Sequence, residues 1–169
     1  ADGHDITHSF TILTSASEER VNTDPSGDQT FIPGDLASDV YPNSPQSVAS
    51  DADGGMVVVW ADAGVSPGIH AKLYDVVWTE TIDGRESTVT AVKEIVVTNP
   101  ASTLYLPSTA TYASVARDGD GDFIVTWSAQ NGSGDWNVFA RRYDALGNPV
   151  GDEFRVNIET NGIQRFSTV

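Results

Sequence analysis

The residues best suited to chemistry are three aspartates at alternate positions of one glycine-rich turn, residues 118–122 (Asp-Gly-Asp-Gly-Asp). Alternating carboxylates in a short loop can gather the oxygen ligands that Ca²⁺ prefers. Asp118, Asp120 and Asp122 are therefore candidate calcium ligands. The twelfth position counted from Asp118 is Ala129, so the bidentate glutamate of an EF-hand is missing.

The same turn has a plainer interpretation, because Asp-Gly is a frequent way to close a β-hairpin. We favour the hairpin and treat calcium as an addition to it. An equivalent turn earlier in the chain carries only two of the three acids, Asp51 and Asp53. These two residues are the weaker calcium candidates.

No feature of the sequence indicates a catalytic site. The chain has no cysteine, which excludes disulfides, thiolate metal sites and a cysteine nucleophile. Its 24 acidic residues would allow a glycosidase-like carboxylate pair to be drawn almost anywhere, so no single pair is evidence. We predict no catalytic residues and no cofactor other than calcium.

The turn lies inside an internal repeat. Residues 114–127 match residues 47–60, with Ser, Val, Ala, both Asp, one Gly, one Val and the final Trp in common. Residues 138–144 match residues 69–75, and both segments end in Tyr-Asp. A Glu-x-x-Val element follows each copy. An internal repeat of this length indicates stacked supersecondary units.

Each copy predicts four short strands in a meander. Met56, Val58 and Trp60 fall on one face of a strand, while Val57 and Val59 make the other face apolar too. A sheet that is apolar on both faces must stack on neighbours. The sequence therefore predicts an all-β fold of two stacked four-stranded antiparallel units, propeller-blade-like or sandwich, without significant helix.

The repeat also divides the chain. We expect a strand-bearing segment at residues 1–17, a first unit at 18–97 with an inserted hairpin at 77–92, and a second unit at 98–157. Residues 164–169 align with residues 112–115 near the beginning of the second unit, so residues 158–169 predict the start of an incomplete third one. The β-branched and aromatic run from Ser9 to Thr14 is a candidate donor strand for another copy.

The pattern Ser-Val-Ala-x-Asp-x-Asp-Gly-x-x-x-Val-x-Trp, followed by Ala-[Lys/Arg]-x-Tyr-Asp and by residues 147–157, resembles the tandem β-repeats of large bacterial exported and cell-surface proteins. Those repeats resemble propeller blades and often accompany cadherin-like or calcium-binding modules. The resemblance covers about two thirds of the chain, from about residue 44 onward. It implies surface location and adhesion or scaffolding, and it carries no catalytic residues.

Composition limits the partners. With 9 basic residues against 24 acidic ones the net charge is −15, which repels nucleic acid. No apolar run reaches the roughly 18 residues of a membrane helix, so we expect no membrane insertion. The polar start at Ala1, without Met, is what a processed exported protein or a trimmed chain would show. We expect an extracellular or bacterial cell-surface location.

These observations favour a non-enzymatic structural protein that self-assembles, as a filament or surface layer, by strand pairing between copies. The alternative is a calcium- or carbohydrate-binding adhesion module cut from a larger repeat protein. Trp78 and Trp136 lie outside the repeat pattern and could stack on glycans, although we favour core packing for both.

Overall fold

The computed structural model describes residues 29–30, 46–82 and 84–169, and these residues form two antiparallel β-sheets. The first sheet contains β1 (Gln29–Thr30), β2 (Val48–Ser50), β3 (Met56–Asp62), β4 (Gly68–Thr81) and β5 (Gly84–Val96). The second contains β6 (Thr111–Arg117), β7 (Phe123–Gln130), β8 (Trp136–Tyr143) and β9 (Phe154–Arg155). In this part of the chain the helical content is one short 3₁₀ turn, Pro107–Thr109, and no helix is long and apolar enough to span a bilayer.

Both sheets are meanders. In the first, β2 and β1 pair with β3, which pairs with β4, which pairs with β5. In the second, β6 to β9 follow one another in chain order. The prediction of an all-β fold built from two four-stranded antiparallel units is thereby confirmed, with β1 as an additional two-residue strand.

The two sheets share one core. Val57 and Val59 of the first sheet belong to the same buried cluster as Val125 and Trp127 of the second. In the repeat alignment Val58 and Trp60 match Val125 and Trp127, so the two sheets contribute opposite faces of equivalent strands. The units therefore stack face to back, as consecutive repeats do. One backbone hydrogen bond also joins the two units: the Val115 N–H of β6 donates to the carbonyl of Gln46, just before β2, at 2.9 Å.

The predicted burial of both faces also holds. Val58 and Trp60 lie outside the shared cluster, yet Trp60 is only 3% exposed. Its ring stacks on His70 of β4 at a centroid distance of 5.7 Å. The strand is covered on both sides, as its continuous run of apolar residues requires.

Four turns share one geometry, and we call them the Asx turns. In each, an Asp or Asn side-chain Oδ1 accepts the N–H groups of the second and fourth residues that follow, at 2.8–3.0 Å. The third following residue is a glycine with positive φ, as in a type I turn closed by a left-handed residue. The Asx turns begin at Asp51, Asp118, Asn131 and Asp144, and their glycines are Gly54, Gly121, Gly134 and Gly147.

Residues 77–92, predicted as an inserted hairpin, form the outer part of one longer strand pair. β4 runs without interruption for 14 residues and β5 for 13, and they pair from His70–Val96 to Thr81–Gly84. The expected third strand, the insertion and the fourth strand are therefore one long pair. Its register shifts by one residue because Val92 is inserted as a β-bulge opposite the Leu73–Tyr74 step.

The turn that begins at Asn131 offers a matched test of the Asx geometry. Gly134 has a φ of 86°, whereas Gly132 in the same turn does not have a left-handed φ, and a Cβ on either would meet no atom within 4 Å. We expect Gly134→Ala to lower the free energy of unfolding by about 1–2 kcal/mol through backbone strain alone. Gly132→Ala is expected to change it by less than about 0.5 kcal/mol. Urea unfolding measures both, and equal effects would contradict the assignment.

Candidate assembly surface

The most prominent surface feature is the projecting end of the β4–β5 pair, residues 75–82 and 84–92, which we call the arm. Nearly all its side chains are exposed or half-buried, including several large apolar ones. These are Val77, Trp78, Ile82, Val89 and Val92. A two-stranded ribbon with little cover is marginally stable alone, so its base must be held by the rest of the fold.

Trp78 anchors the arm. Its indole N–H donates to the Asp53 carbonyl at 3.0 Å, which ties the arm to the first Asx turn. The Arg85 guanidinium lies 4.3 Å from the centre of its ring, and Arg85 also lies 3.6 Å from Glu80. Trp78 is 46% exposed, so our expectation of core packing was wrong for this residue. Stacking of a glycan on Trp78 stays a prediction. The Arg85 guanidinium already covers one face of this ring.

The outer edge of the arm is the outer edge of β5. Within the described residues β5 pairs with β4 and with no other strand, so a row of backbone N–H and C=O groups faces away from the sheet. Residues 87–92 (Ser-Thr-Val-Thr-Ala-Val) carry neither charge nor proline. Native sheets usually protect an edge with charge, proline, short length or a cover. This edge lacks the first three devices over its central six residues.

A second surface is the face of the second sheet that points away from the shared core. Its positions Thr126 and Ser128 match Val59 and Ala61, which face the core in the first sheet. The C-terminal residues lie on it. The Phe166 N–H donates to the Ser128 hydroxyl at 3.2 Å, and the Ser167 hydroxyl donates to Thr126 at 3.0 Å.

The C-terminal residues also repeat a conformation. Tyr112 and Phe166 are the two non-glycine residues with positive φ in the described part of the chain, at 53° and 72°. Phe166 aligns with Tyr112 when residues 164–169 are matched to the start of the second unit. Their rings make an edge contact at 4.5 Å. This shared conformation favours the predicted start of a third unit, and the assignment stays a prediction.

An ion pair joins the two units at their equivalent turns. Arg117 Nη2 lies 3.0 Å from Asp51 Oδ2, and these side chains are only 5% and 12% exposed. The Arg117 Nε–H also donates to the Gly121 carbonyl. The sequence alone did not predict this contact. Its signal was the repeat alignment, in which Arg117 of the second copy replaces Ser50 of the first.

The candidate calcium ligands occupy two of the Asx turns. Both oxygens of Asp51 are engaged, one by the turn and one by Arg117, while Asp53 contributes its backbone N–H to the turn. Asp118 Oδ1 holds the second turn, and Asp122 Oδ1 accepts the Ala145 N–H. The Asp120 N–H donates to Asp118.

The structure does not bring these acids together with further ligands. In residues 46–82 and 84–169 no three Asp, Glu or His side chains form a group that could hold a metal ion. Calcium at either turn stays a prediction.

A polar cleft of about 390 Å³ lies beside the second sheet, between residues 99–104, Arg141 and residues 152–153. Glu153, which lines the cleft, accepts two hydrogen bonds at Oε2, from the Tyr105 hydroxyl at 2.5 Å and from the Asn99 N–H. Burial, with the Glu153 carboxylate adding to it, raises the pKa of Tyr105. Burial likewise raises the pKa of Tyr143 to about 12, against the opposing effect of Arg141. Tyr105 is protonated at neutral pH, and its hydrogen bond connects the loop at residues 99–105 to Glu153, the residue before β9.

Comparison of the chain with models of known protein families, with curated proteins and with solved structures gives no match.

The Arg117–Asp51 pair predicts a coupling between the two units. Arg117→Met leaves the nearly buried Asp51 carboxylate without its cation, and we expect a loss of about 3 kcal/mol in the free energy of unfolding. Asp51→Asn keeps an Oδ1 acceptor for the turn, as Asn131 does in its own turn, but removes the charge. In that background Arg117→Met should cost at least about 1 kcal/mol less. Additive effects in urea unfolding would contradict the pairing.

Proposed function

We propose that the chain is a non-enzymatic structural protein of the bacterial cell exterior that self-assembles into filaments or surface layers by β-strand pairing between copies. The observation that carries this proposal is the exposed edge of β5. Among the residues that the structure describes, β5 pairs only with β4, and the outward backbone groups of residues 87–91 offer a template for another strand.

The side chains of the arm support the same conclusion. Thr88, Val89 and Thr90 are β-branched residues of high strand propensity, and they are exposed. In a monomer this surface would promote unwanted pairing, and selection normally adds a lysine or a proline against it. Its uncharged centre is instead suited to a partner strand.

Two different contact surfaces on one subunit are what an open assembly requires. A contact that uses the same surface on both copies closes as a dimer, whereas a second, different contact extends the chain of subunits. The face of the second sheet that carries residues 166–169 is the second candidate. The proposed donor strand from Ser9 to Thr14 lies outside the described residues.

The net charge of −15 sets a condition on assembly. Copies that carry the same charge repel one another, and salt screens this repulsion over about 10 Å at 0.1 M ionic strength. The β5 contact is local and hydrogen-bonded, so it operates within that distance. Assembly at this edge is therefore favoured by physiological or higher salt.

A second candidate function is a calcium-binding adhesion module. The observation in its favour is that Asp118, Asp120 and Asp122 are exposed at the tip of one turn.

The strand-pairing proposal predicts a position-specific effect of proline. In a two-residue hairpin the pair beside the loop, here Thr81–Gly84, exchanges both hydrogen bonds and the following pairs alternate. The Ser87 N–H therefore points away from β4. Ser87→Pro should leave the hairpin paired but raise the concentration needed for assembly at least about tenfold, the equivalent of 1.4 kcal/mol.

Ser87→Ala is the matched control, because it keeps the N–H and should assemble as the unsubstituted chain does. Sedimentation and electron microscopy measure assembly, and circular dichroism checks that both variants are folded. Equal assembly by the proline and alanine variants would refute pairing at this edge.

The calcium alternative predicts a heat of binding in calorimetry that Asp120→Ala removes. The substitution takes away a carboxylate but keeps the backbone N–H that supports the turn. Asp152→Ala, which removes one exposed carboxylate elsewhere, should leave the heat unchanged. If neither the unsubstituted chain nor either variant gives a heat of binding, the calcium proposal is refuted.

A further inference from the structure

We infer that the partner of β5 is the β5 strand of a second copy, paired antiparallel about a two-fold axis at Val89. This inference rests on the proposed function and specifies its contact. It follows from the direction of the backbone groups, the charge order along the strand and the β-bulge at Val92.

The backbone directions fix where the axis can lie. By the alternation described for Ser87, Val89 also directs its N–H and C=O away from β4. A two-fold antiparallel pair needs a central residue of this kind, because the two copies of that residue exchange both hydrogen bonds. With Val89 at the centre, Thr88 faces Thr90 and Ser87 faces Ala91. None of these pairs carries a charge.

The bulge then sets the register of the charged ends. Ala91 pairs with Tyr74 and Lys93 pairs with Leu73, so Val92 is the extra residue. When Val92 is also skipped across the new contact, Glu86 faces Lys93 and Arg85 faces Glu94. By symmetry each of these opposite-charge pairs occurs twice. Without the skip Arg85 would be opposite Lys93, a residue of the same charge that stands on the other face of the sheet.

The faces of the sheet agree with this register. Arg85 and Glu94 both stand on the face of Trp78, because their β4 partners are Glu80 and Lys72. Glu86 and Lys93 both stand on the opposite face, as their partners Thr79 and Leu73 show. Residues that oppose one another across an antiparallel contact must share a face, and here they do.

Lys93 is already held in place for such a contact. Its ammonium donates to the Gly147 carbonyl at 3.1 Å, to Asn148 Oδ1 at 3.2 Å and to the Leu146 carbonyl at 3.4 Å. All three acceptors are neutral, and Asp144 is the one carboxylate of the described residues that interacts electrostatically with Lys93, so Glu86 from a second copy would bring a second one. Glu94 has a neighbour of its own, with His70 Nδ1 at 3.9 Å, which makes the Arg85–Glu94 pair the lesser contribution.

A second copy is the partner that best fits the outer edge of β5, because the charge order of this strand is complementary to its own reverse. When a charged strand pairs with its own reverse, the contact is favourable if residues of opposite charge meet, as Glu86 with Lys93 and Arg85 with Glu94 do here. The strand is also neutral overall, with Arg85 and Lys93 balancing Glu86 and Glu94, in a chain of charge −15. The strand itself therefore adds no net charge to the contact between copies.

The absence of cysteine permits a direct test by spin labelling. In the inferred pair the two Val89 Cα atoms lie about 5.5 Å apart, so a label on Val89→Cys should show strong dipolar broadening in assembled protein. A label on Val65→Cys, at an 83% exposed position between β3 and β4, is the control and should show none.

A charge exchange tests the register independently. Glu86→Lys and Lys93→Glu should each weaken association about tenfold, because each creates two like-charge pairs, and the double variant should restore it. Thermal unfolding of dilute, unassembled protein checks that the Lys93 variants keep their fold.

The outcomes separate the two proposals. Broadening at position 89 together with rescue by the double variant supports the inferred pair. Assembly without broadening at 89, or without rescue, overturns this pair but leaves strand-mediated assembly standing. A chain that stays monomeric at all salt concentrations overturns both.

Discussion

One interaction, repeated four times, sets the positions of the strands: a side-chain oxygen of Asp or Asn accepts two backbone N–H groups of its own turn. Three of these Asx turns lie in the second unit, after β6, β7 and β8. A one-residue slip in any of these hairpins would exchange the two faces of a strand. Because each turn is closed by local bonds and by a left-handed glycine, it specifies the register of its own hairpin locally.

Three of the acidic residues have a structural role in these turns. Asp51, Asp118 and Asp144 use a carboxylate oxygen as a turn acceptor, and accepted N–H groups, chiefly from Asn148, lower the pKa of Asp144. A carboxyl of lowered pKa contributes stability that is present above its ordinary pKa and is lost as the pH falls through the folded value. Asp51 and Asp118, both candidate calcium ligands, thus already serve as hydrogen-bond acceptors within their own turns.

The repeat in the sequence was enough to predict two stacked β-units and the burial of both strand faces, because alternation and offset are local properties. It identified the turn at Asp118, but not its equivalence with the turn at Asn131. The common signal is Asp or Asn followed by Gly three residues later, and the replacement of Asp by Asn concealed it. The long β4–β5 pair was also missed, since the composition of residues 75–92 does not reveal that two predicted hairpin elements are continuous.

Contacts between the units were beyond the sequence for a physical reason. Arg117 and Asp51 are 66 positions apart, and their pairing depends on the face-to-back stacking that only the folded chain provides. The edge of β5 differs from such contacts, because its uncharged centre and its flanking charges can be read directly from the sequence. What the structure adds is the bulge at Val92, which places Glu94 on the face of Arg85 and Lys93 on the face of Glu86. In the proposed pair this one-residue irregularity turns a charge order that would repel a second copy into one that matches it, so the bulge would form part of the proposed contact.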